Sequence, residues 1–485
     1  MRETDKKFAV IGAGMAGILA AIKLREAGYR QVTVYEKADR IGGTWRDNRY
    51  PGLTCDVPAH AYTYQFAPNP EWSAYLVGGA EIQAYFEKVV DDYGIRSLIC
   101  FNSEIVRMEW QGDRWEFETA DGRIDDAHGV IVATGVLHHP KIPQIAGLSS
   151  FAGRAMHTAQ WDESVPLAGK RIGIIGNGST GVQMATALGK AGHEIIHFQR
   201  APQWMMPYPN FEYTEEQKAE FRSNLDAINA IRYDPDYEDN VQRFTTGVTD
   251  IDGPEMHSIE DICRSFLEQA VVDPVLREKL RPDYRAACKR LIYSMDYYAV
   301  AQQPNVETVV CGIDEILPEG VRDNEGVVHK LDVLALATGF HTDRFIRPTR
   351  VLGIGGRDLE EAWAVRCNAY MAISIPDFPN LFLMNGPSSP VGNFSLIDVA
   401  EKQWTFIEQL MNRIADGNAK GIVASHKAHA EYEDRRIKAA KASIFGSGCT
   451  SWYLDATGVP ITWPWNYQAF ADAMAKPDFE AFEVV

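Results

Sequence analysis

The chain has 485 residues and a formal charge of 48 − 66 = −18, long enough for two or three domains, since single cores rarely grow past roughly 250–300 residues. The acidic balance argues against a nucleic-acid binder, because affinity for phosphate backbones comes from clustered Lys and Arg, and no apolar run approaches the ~20 residues of a membrane span. Seven cysteines without a C-x-x-C pair provide no framework for a disulfide scaffold or a zinc site, so no metal is expected and the cytoplasm is the expected compartment.

Lys6 and Lys7 precede an apolar stretch that a signal peptide would also show, but the glycines inside it fit a different unit. Phe8-Ala9-Val10-Ile11 reads as a buried strand, Gly12-Ala13-Gly14-Met15-Ala16-Gly17 as a turn, and residues 18–26 as a helix stopped by Gly28. Gly12 permits the bend, Gly14 lets backbone approach a pyrophosphate, and Gly17 lets helix and strand pack closely. The helix N-terminus presents unpaired N–H groups to phosphates. A second strand, residues 31–35, ends in Glu36, where a carboxylate accepts from both ribose hydroxyls of an adenosine and repels a 2′-phosphate. Next come Arg40-Ile41-Gly42-Gly43-Thr44-Trp45 and Asn48-Arg49-Tyr50-Pro51-Gly52-Leu53-Thr54-Cys55-Asp56.

After a strand ending in Ala133-Thr134-Gly135 lies Phe151-Ala152-Gly153-Arg154-Ala155-Met156-His157-Thr158-Ala159-Gln160-Trp161-Asp162. A second glycine unit then begins: a strand at residues 170–175, the turn Gly176-Asn177-Gly178-Ser179-Thr180-Gly181, and a helix over residues 182–190. Its following strand, residues 194–198, ends in Gln199-Arg200 where the first unit ended in Glu36. A guanidinium there favours a 2′-phosphate, so NADPH is expected over NADH. Residues 208–285 lack strand alternation and place apolar residues at helical spacing, which predicts a helical insertion. Beyond it stand Cys288-Lys289-Arg290-Leu291-Ile292, Ala337-Thr338-Gly339-Phe340, Asn385-Gly386-Pro387-Ser388-Ser389-Pro390 and Ser451-Trp452-Tyr453.

Residues 151–162 have the form F-x-G-x-x-x-H-x-x-x-W-D, which resembles the fingerprint of type I Baeyer–Villiger monooxygenases. Residues 40–56 resemble the family's flavin-contacting segments, Gln199-Arg200-Ala201-Pro202 its NADP-phosphate element, and Cys288-Lys289-Arg290 the element bearing its active-site arginine. The matches run from Gly12 to Trp452, nearly the whole chain. The resemblance implies an α/β protein with two Rossmann-like domains, one for FAD (residues 1–140 and 375–485) and one for NADP (141–374) carrying the insertion 208–285.

It further implies a ketone substrate, dioxygen, and oxygen insertion through a C4a-peroxyflavin to give an ester or lactone, with sulfoxidation as an admissible side activity. Cofactor binding is then expected at Gly12, Gly14, Gly17, Glu36, Gly43, Thr44, Trp45 and Asp56 for FAD. For NADPH it is expected at Gly176, Gly178, Ser179, Thr180, Gly181, Arg200, Lys289 and Trp452. Arg290 is the expected fixed cation, Asp56 its orienting partner, and His157 either a proton-transfer residue or, as its linker position suggests, a coupler of domains. An N- or S-oxygenating flavin monooxygenase would share both glycine turns, though Trp161-Asp162 and Cys288-Lys289-Arg290 point away from it. A disulfide reductase lacks its C-x-x-C here, and a non-catalytic nucleotide sensor remains open. Neither the particular ketone nor the oligomeric state is encoded legibly.

Overall fold

The computed structural model describes residues 4–390, 392, 394–417 and 419–485. The repeated glycine chemistry produces two repeated units. The first contains β1 (Thr4–Ile11), helix α1 (Met15–Glu26), β2 (Tyr29–Tyr35), β3 (Ile99–Cys100) and β4 (Gly129–Val132). The second contains β5 (Arg154–His157), β6 (Arg171–Ile175), α2 (Ser179–Lys190), β7 (Glu194–Gln199), β8 (Val306–Val310) and β9 (Val333–Leu336). The chain then returns to the edge of the first sheet as β10 (Leu381–Leu383). The sheet orders are β10-β4-β1-β2-β3 and β8-β7-β6-β9-β5, and every neighbouring pair is parallel. Parallel sheets need cover on both faces, which is why β4 and β9 are unbroken runs of buried residues.

Each unit also inserts an antiparallel meander before its last-named strand, a repeat that the glycine motifs do not reveal. In the first unit it is Ile105–Trp110, Trp115–Thr119 and Ile124–Ala127. In the second it is Ile313–Leu317, Gly320–Asp323 and Val328–Lys330.

Two boundaries differ from those read in the sequence. Both helices begin three residues early, at Met15 and Ser179, so Gly17 and Gly181 lie inside their first turns. A Cβ on Gly17 would stand 1.8 Å from the Gly12 carbonyl oxygen, and one on Gly181 1.9 Å from that of Gly176. Their lack of a side chain is therefore a packing requirement rather than a helix-breaking signal. The return to the first unit also precedes residue 375. Strand Arg350–Leu352 pairs with Ile105–Trp110, and Phe345, Ile346 and Trp363 share one cluster with Met108, Trp110 and Phe117. Those aromatics have no glycine signature to announce them.

Between β7 and β8 the insertion forms α3 (Glu215–Ser223), α4 (Leu225–Arg232), α5 (Pro235–Thr249), α6 (Pro254–Ala270) and α7 (Pro274–Lys279), within the expected limits. Along α6 the buried Met256, Ile259, Cys263 and Leu267 recur every three or four residues, the spacing that lays one face on a core. Met256, Ile259 and Cys263 meet Ala286, Ala287, Leu291, Phe445 and Tyr453 in one apolar cluster, while Leu267 packs into the core of the second unit with Tyr297 and Tyr298.

Among the described residues no helix is long and apolar enough to cross a membrane. Gly181→Ala should destabilise the protein by roughly 1–3 kcal/mol through overpacking, lowering its denaturant midpoint. Gly178→Ala meets nothing within 4 Å and should leave that midpoint unchanged while weakening nucleotide binding. Equal midpoints for the two variants would contradict the packing role.

Candidate active site

At the first glycine turn, a Cβ on Gly12 (φ +100°) would stand 2.7 Å from the Ala133 carbonyl oxygen, and one on Gly43 would lie only 3.4 Å from the Gly14 Cα. The loops bearing Gly14 and Gly43 thus oppose one another backbone to backbone. Gly14 supplies no side-chain cap, which leaves the first N–H groups of α1 for an anion. Glu36 is 4% exposed at the end of β2. Its Oε2 accepts from Ala13 N–H at 2.8 Å and its Oε1 from Ala38 N–H and Arg46 Nη1, each at 2.9 Å. Sequence reading missed Arg46, a buried guanidinium that compensates the Glu36 charge and is itself bound by Asp47 at 2.7 and 3.0 Å.

Thr44 opens the short helix Thr44–Asp47, and Trp45 donates through Nε1 to the Tyr62 hydroxyl at 3.1 Å. Beyond β10, Asn385 is held at φ +49° with both polar atoms of its side-chain amide buried and without a partner among the described residues. An adenine dinucleotide fits this set: it supplies an anion for the helix end, hydroxyls for Glu36 and polar atoms for the orphaned amide.

The second turn repeats the plan with different chemistry. Ser179 Oγ is buried without a hydrogen-bond partner among the described residues at the start of α2, and Gly178 faces open space. Beneath Gly176 runs a buried polar network that the sequence did not suggest. Asn177 Nδ2 donates to Gln199 Oε1 at 2.9 Å and to the Ala201 carbonyl at 2.8 Å. Gln199 Nε2 bonds to the Tyr297 hydroxyl. Tyr297 in turn lies 3.1 Å from His197 Nδ1, and His197 Nε2 lies 3.0 Å from the Gly176 carbonyl oxygen.

Arg200 is exposed at the end of β7. Lys289 places its Nζ 4.1 Å from the Tyr284 ring centroid. Burial, and then the charge of Arg200, hold the Lys289 amine below its ordinary pKa. Two cations gathered from strand end and distant loop suit a phosphate dianion, so a 2′-phosphorylated nicotinamide dinucleotide fits here.

An ion pair joins three segments that are distant in sequence. Arg290 Nη2 donates to Asp56 Oδ2 at 2.7 Å, and Arg290 Nη1 donates to the Gly392 carbonyl at 3.1 Å. The two side chains are equally shielded, each 22% exposed. Ala287, at φ +62° in a buried stretch, turns the chain just before Cys288-Lys289-Arg290; such strain in a non-glycine residue persists where surroundings enforce it. Burial disfavours the guanidinium charge, but Asp56 more than offsets this and holds the Arg290 pKa above its ordinary value. The buried Tyr453 side chain also faces Arg290, through charge and hydrogen bonding, and Arg290 offsets part of the rise that burial imposes on the Tyr453 pKa.

The segment carrying Asp56 is docked on the second unit. Tyr50 donates to Gln183 Oε1 at 2.8 Å, Thr180 Oγ1 donates to the Tyr50 hydroxyl at 3.3 Å, and Gln183 Nε2 donates to the Thr54 carbonyl at 3.0 Å.

His157 ends β5 at 4% exposure. Its Nδ1 accepts from Ala159 N–H at 3.1 Å and its Nε2 lies 3.0 Å from the Gly339 carbonyl oxygen. Both nitrogens are engaged, which defines the neutral Nε2–H tautomer, and burial keeps its pKa below the ordinary value. Trp161 lies in the core of the second unit beside Met156 and Tyr50. Trp452 packs at 4.3 Å against the Tyr453 ring.

Two parallel dinucleotide folds, one ending in an acid and the other beside two cations, define a pyridine-nucleotide-dependent flavoprotein. Residues 9–246 match the pyridine nucleotide-disulphide oxidoreductase family model. The chain is 41% identical over 458 residues to an uncharacterized monooxygenase of Mycobacterium tuberculosis, covering 94% of this chain and 91% of that one. It is 36% identical over 487 residues to a Baeyer-Villiger monooxygenase of Streptomyces coelicolor, covering 99% and 92%. Cyclohexanone monooxygenase from Rhodococcus sp. Phi1 bound to NADP+ superimposes with a TM-score of 0.85 at 29% identity, with 99% of each chain covered. The chain belongs to the Baeyer–Villiger monooxygenases: it is an FAD- and NADPH-dependent enzyme that oxygenates ketones, and the N- or S-oxygenating alternative is not favoured.

The buried network makes a pH prediction. His197 is completely buried and burial lowers its pKa to about 4 from 6.5. A folded-state pKa below the unfolded value means that its contribution is complete above pH ~6.5 and is lost as pH falls toward 4, on the order of 3 kcal/mol. His197→Gln should flatten the loss of stability between pH 6.5 and 4 measured by denaturant melts; an unchanged slope would remove His197 from the cause.

Proposed function

We propose that the Asp56–Arg290 pair is the catalytic centre of ketone oxygenation, the single supporting observation being the 2.7 Å bond that joins a carboxylate of the first unit to the guanidinium following the helical insertion. When bound, FAD and NADPH supply the redox chemistry that activates dioxygen and converts the ketone to an ester or lactone. Arg290 provides a fixed positive charge for anionic oxygen at the reacting carbonyl. Being a guanidinium beside a carboxylate, it keeps that charge at any working pH, and Asp56 with the Gly392 carbonyl fixes its direction.

Gly12, Gly14, Gly17, Gly43, Glu36, Thr44 and Trp45 form the FAD side. Gly176, Gly178, Ser179, Thr180 and Gly181 receive the NADPH pyrophosphate, Arg200 and Lys289 its 2′-phosphate, and Trp452 its nicotinamide end. His157 is a positioning residue: with both nitrogens bonded it ties the linker to Gly339 and has no lone pair left for a proton.

Beside Gly392 a narrow apolar pocket lined by Phe244, Phe394, Phe445, Trp463 and Tyr467 holds about 20 Å³ of open space, room for hardly more than one water. A ketone entering it displaces aromatic side chains and leaves the carbonyl in a water-poor setting, where the Arg290 charge acts most strongly. We place this activity in the cytoplasm, where reduced nicotinamide dinucleotide is supplied.

Arg290→Ala should leave flavin reduction by NADPH measurable in stopped flow but lower ester formation by about a hundredfold or more; retained product would sink the role. Arg200→Glu should raise the NADPH KM by about 10–100-fold with far less change for NADH, and an unaltered preference would reject the phosphate assignment.

A further inference from the structure

The insertion, the segment ending in Arg290 and the C-terminal segment meet in the apolar cluster containing Cys263, Cys288 and Tyr453, with Cys449 and Trp452 packed against it. There Cys288 and Cys449 form a disulfide with Cα atoms 6.2 Å apart, across a sequence separation of 161. This corrects the expectation drawn from cysteine spacing: no scaffold exists, but one long-range bridge does. The other five cysteines are free. Cys288 is 1% exposed, whereas Cys449 is half-buried between exposed Gly448 and Thr450. The bridge ties the residue preceding Lys289 and Arg290 to a residue three positions before Trp452.

We propose that Cys288–Cys449 is a reversible redox-modification site, opened by dithiols and closed by hydrogen peroxide, that governs how firmly residues 446–453 are held over the nicotinamide side of the active site. The effect on cofactor binding rests on the roles of Lys289, Arg290 and Trp452 given above.

A dithiol's thiolate attacks Sγ of Cys449, the accessible end. A mixed disulfide forms, the Cys288–Cys449 bond breaks, and its electron pair stays on Cys288 Sγ. Ser447 Oγ already donates to that sulfur at 3.2 Å, so the new negative charge meets a donor in place. The reagent's second thiol then displaces Cys449, closing its own disulfide; two electrons and two protons have passed to the protein. In reverse, the accessible Cys449 thiolate attacks hydrogen peroxide, the O–O bond breaks, and hydroxide leaves to become water. The Cys288 thiol then displaces the sulfenic oxygen from Cys449 as a second water, closing the bridge. Cys263 lies in the same cluster but is completely buried, and burial pushes its thiol up to about 12. It remains protonated and outside the exchange.

The mechanical consequence follows from the loop. Residues 447–451 have neither helix nor strand, and Gly448, at φ +107°, has nothing within 4 Å of its missing side chain. The bridge holds this stretch at Cys449 and the packing of Tyr453 holds its far end. With the bridge open, Trp452 is tethered from one side only.

The test uses the FAD-loaded full chain without denaturant: iodoacetamide labelling read by peptide mass spectrometry before dithiothreitol, after it, and after its replacement by hydrogen peroxide, with the NADPH KM measured at each stage. Cys288 and Cys449 should be unlabelled at first and Cys449 labelled after reduction, Cys263 staying unlabelled. Reduction should raise the KM about fivefold or more, and peroxide should restore both readings. Cys449→Ser should carry the raised KM whether or not dithiol is present. A bridge that resists dithiol in the folded enzyme, one that opens without changing KM, or a dithiol response that survives in Cys449→Ser would each overturn the proposal. Labelling reads the bridge without reference to ketone turnover, so a failed Arg290 prediction leaves a different trace.

Discussion

The ion pair between Arg290 and Asp56 is the constraint around which the molecule is arranged. Its guanidinium follows the helical insertion, its carboxylate belongs to the first dinucleotide unit, and a second acceptor, the Gly392 carbonyl, comes from the C-terminal part of the chain. Removing one partner from a shielded pair leaves the other uncompensated. Three regions far apart in sequence must therefore close together, or the charge at their junction has no counterpart. The left-handed turn at Ala287 and the docking of Tyr50 on Gln183 serve that closure from opposite sides.

The two units are built alike but equipped differently. In both, a glycine turn passes beneath a helix start, and in both the helix glycine touches the carbonyl of the turn's first glycine. At the end of the second strand the similarity stops: Glu36 accepts backbone and Arg46 donors, while Arg200 stands exposed with Lys289 nearby. One scaffold thus ends in a buried acid in the first unit and beside two cations in the second.

Legibility followed distance along the chain. The strand–turn–helix units and the helical insertion were readable because each is encoded by contiguous residues. The helix starts were read three residues late because glycine counts against helix in isolation, whereas Gly17 and Gly181 are demanded by contacts with the preceding turn. Arg46 and the Asn177–Gln199–Tyr297–His197 network were invisible, since ordinary polar residues gain meaning only when burial forces them together. The Cys288–Cys449 bridge, spanning 161 positions, and the early return of residues 345–363 to the first unit were hidden for the same reason. At His157 the motif left proton transfer and domain coupling both open, and the geometry adds what the spacing could not, a backbone partner for each ring nitrogen.

Gly52 carries a consequence of its own. At φ +84°, a Cβ there would lie 2.6 Å from both the Ala187 side chain and the Gln183 carbonyl, so the stretch that ends in Asp56 lies flush against α2 with no slack between them. A side chain at position 52 would therefore wedge this stretch off α2, and the acid at its end, with the guanidinium bonded to it, would have to follow.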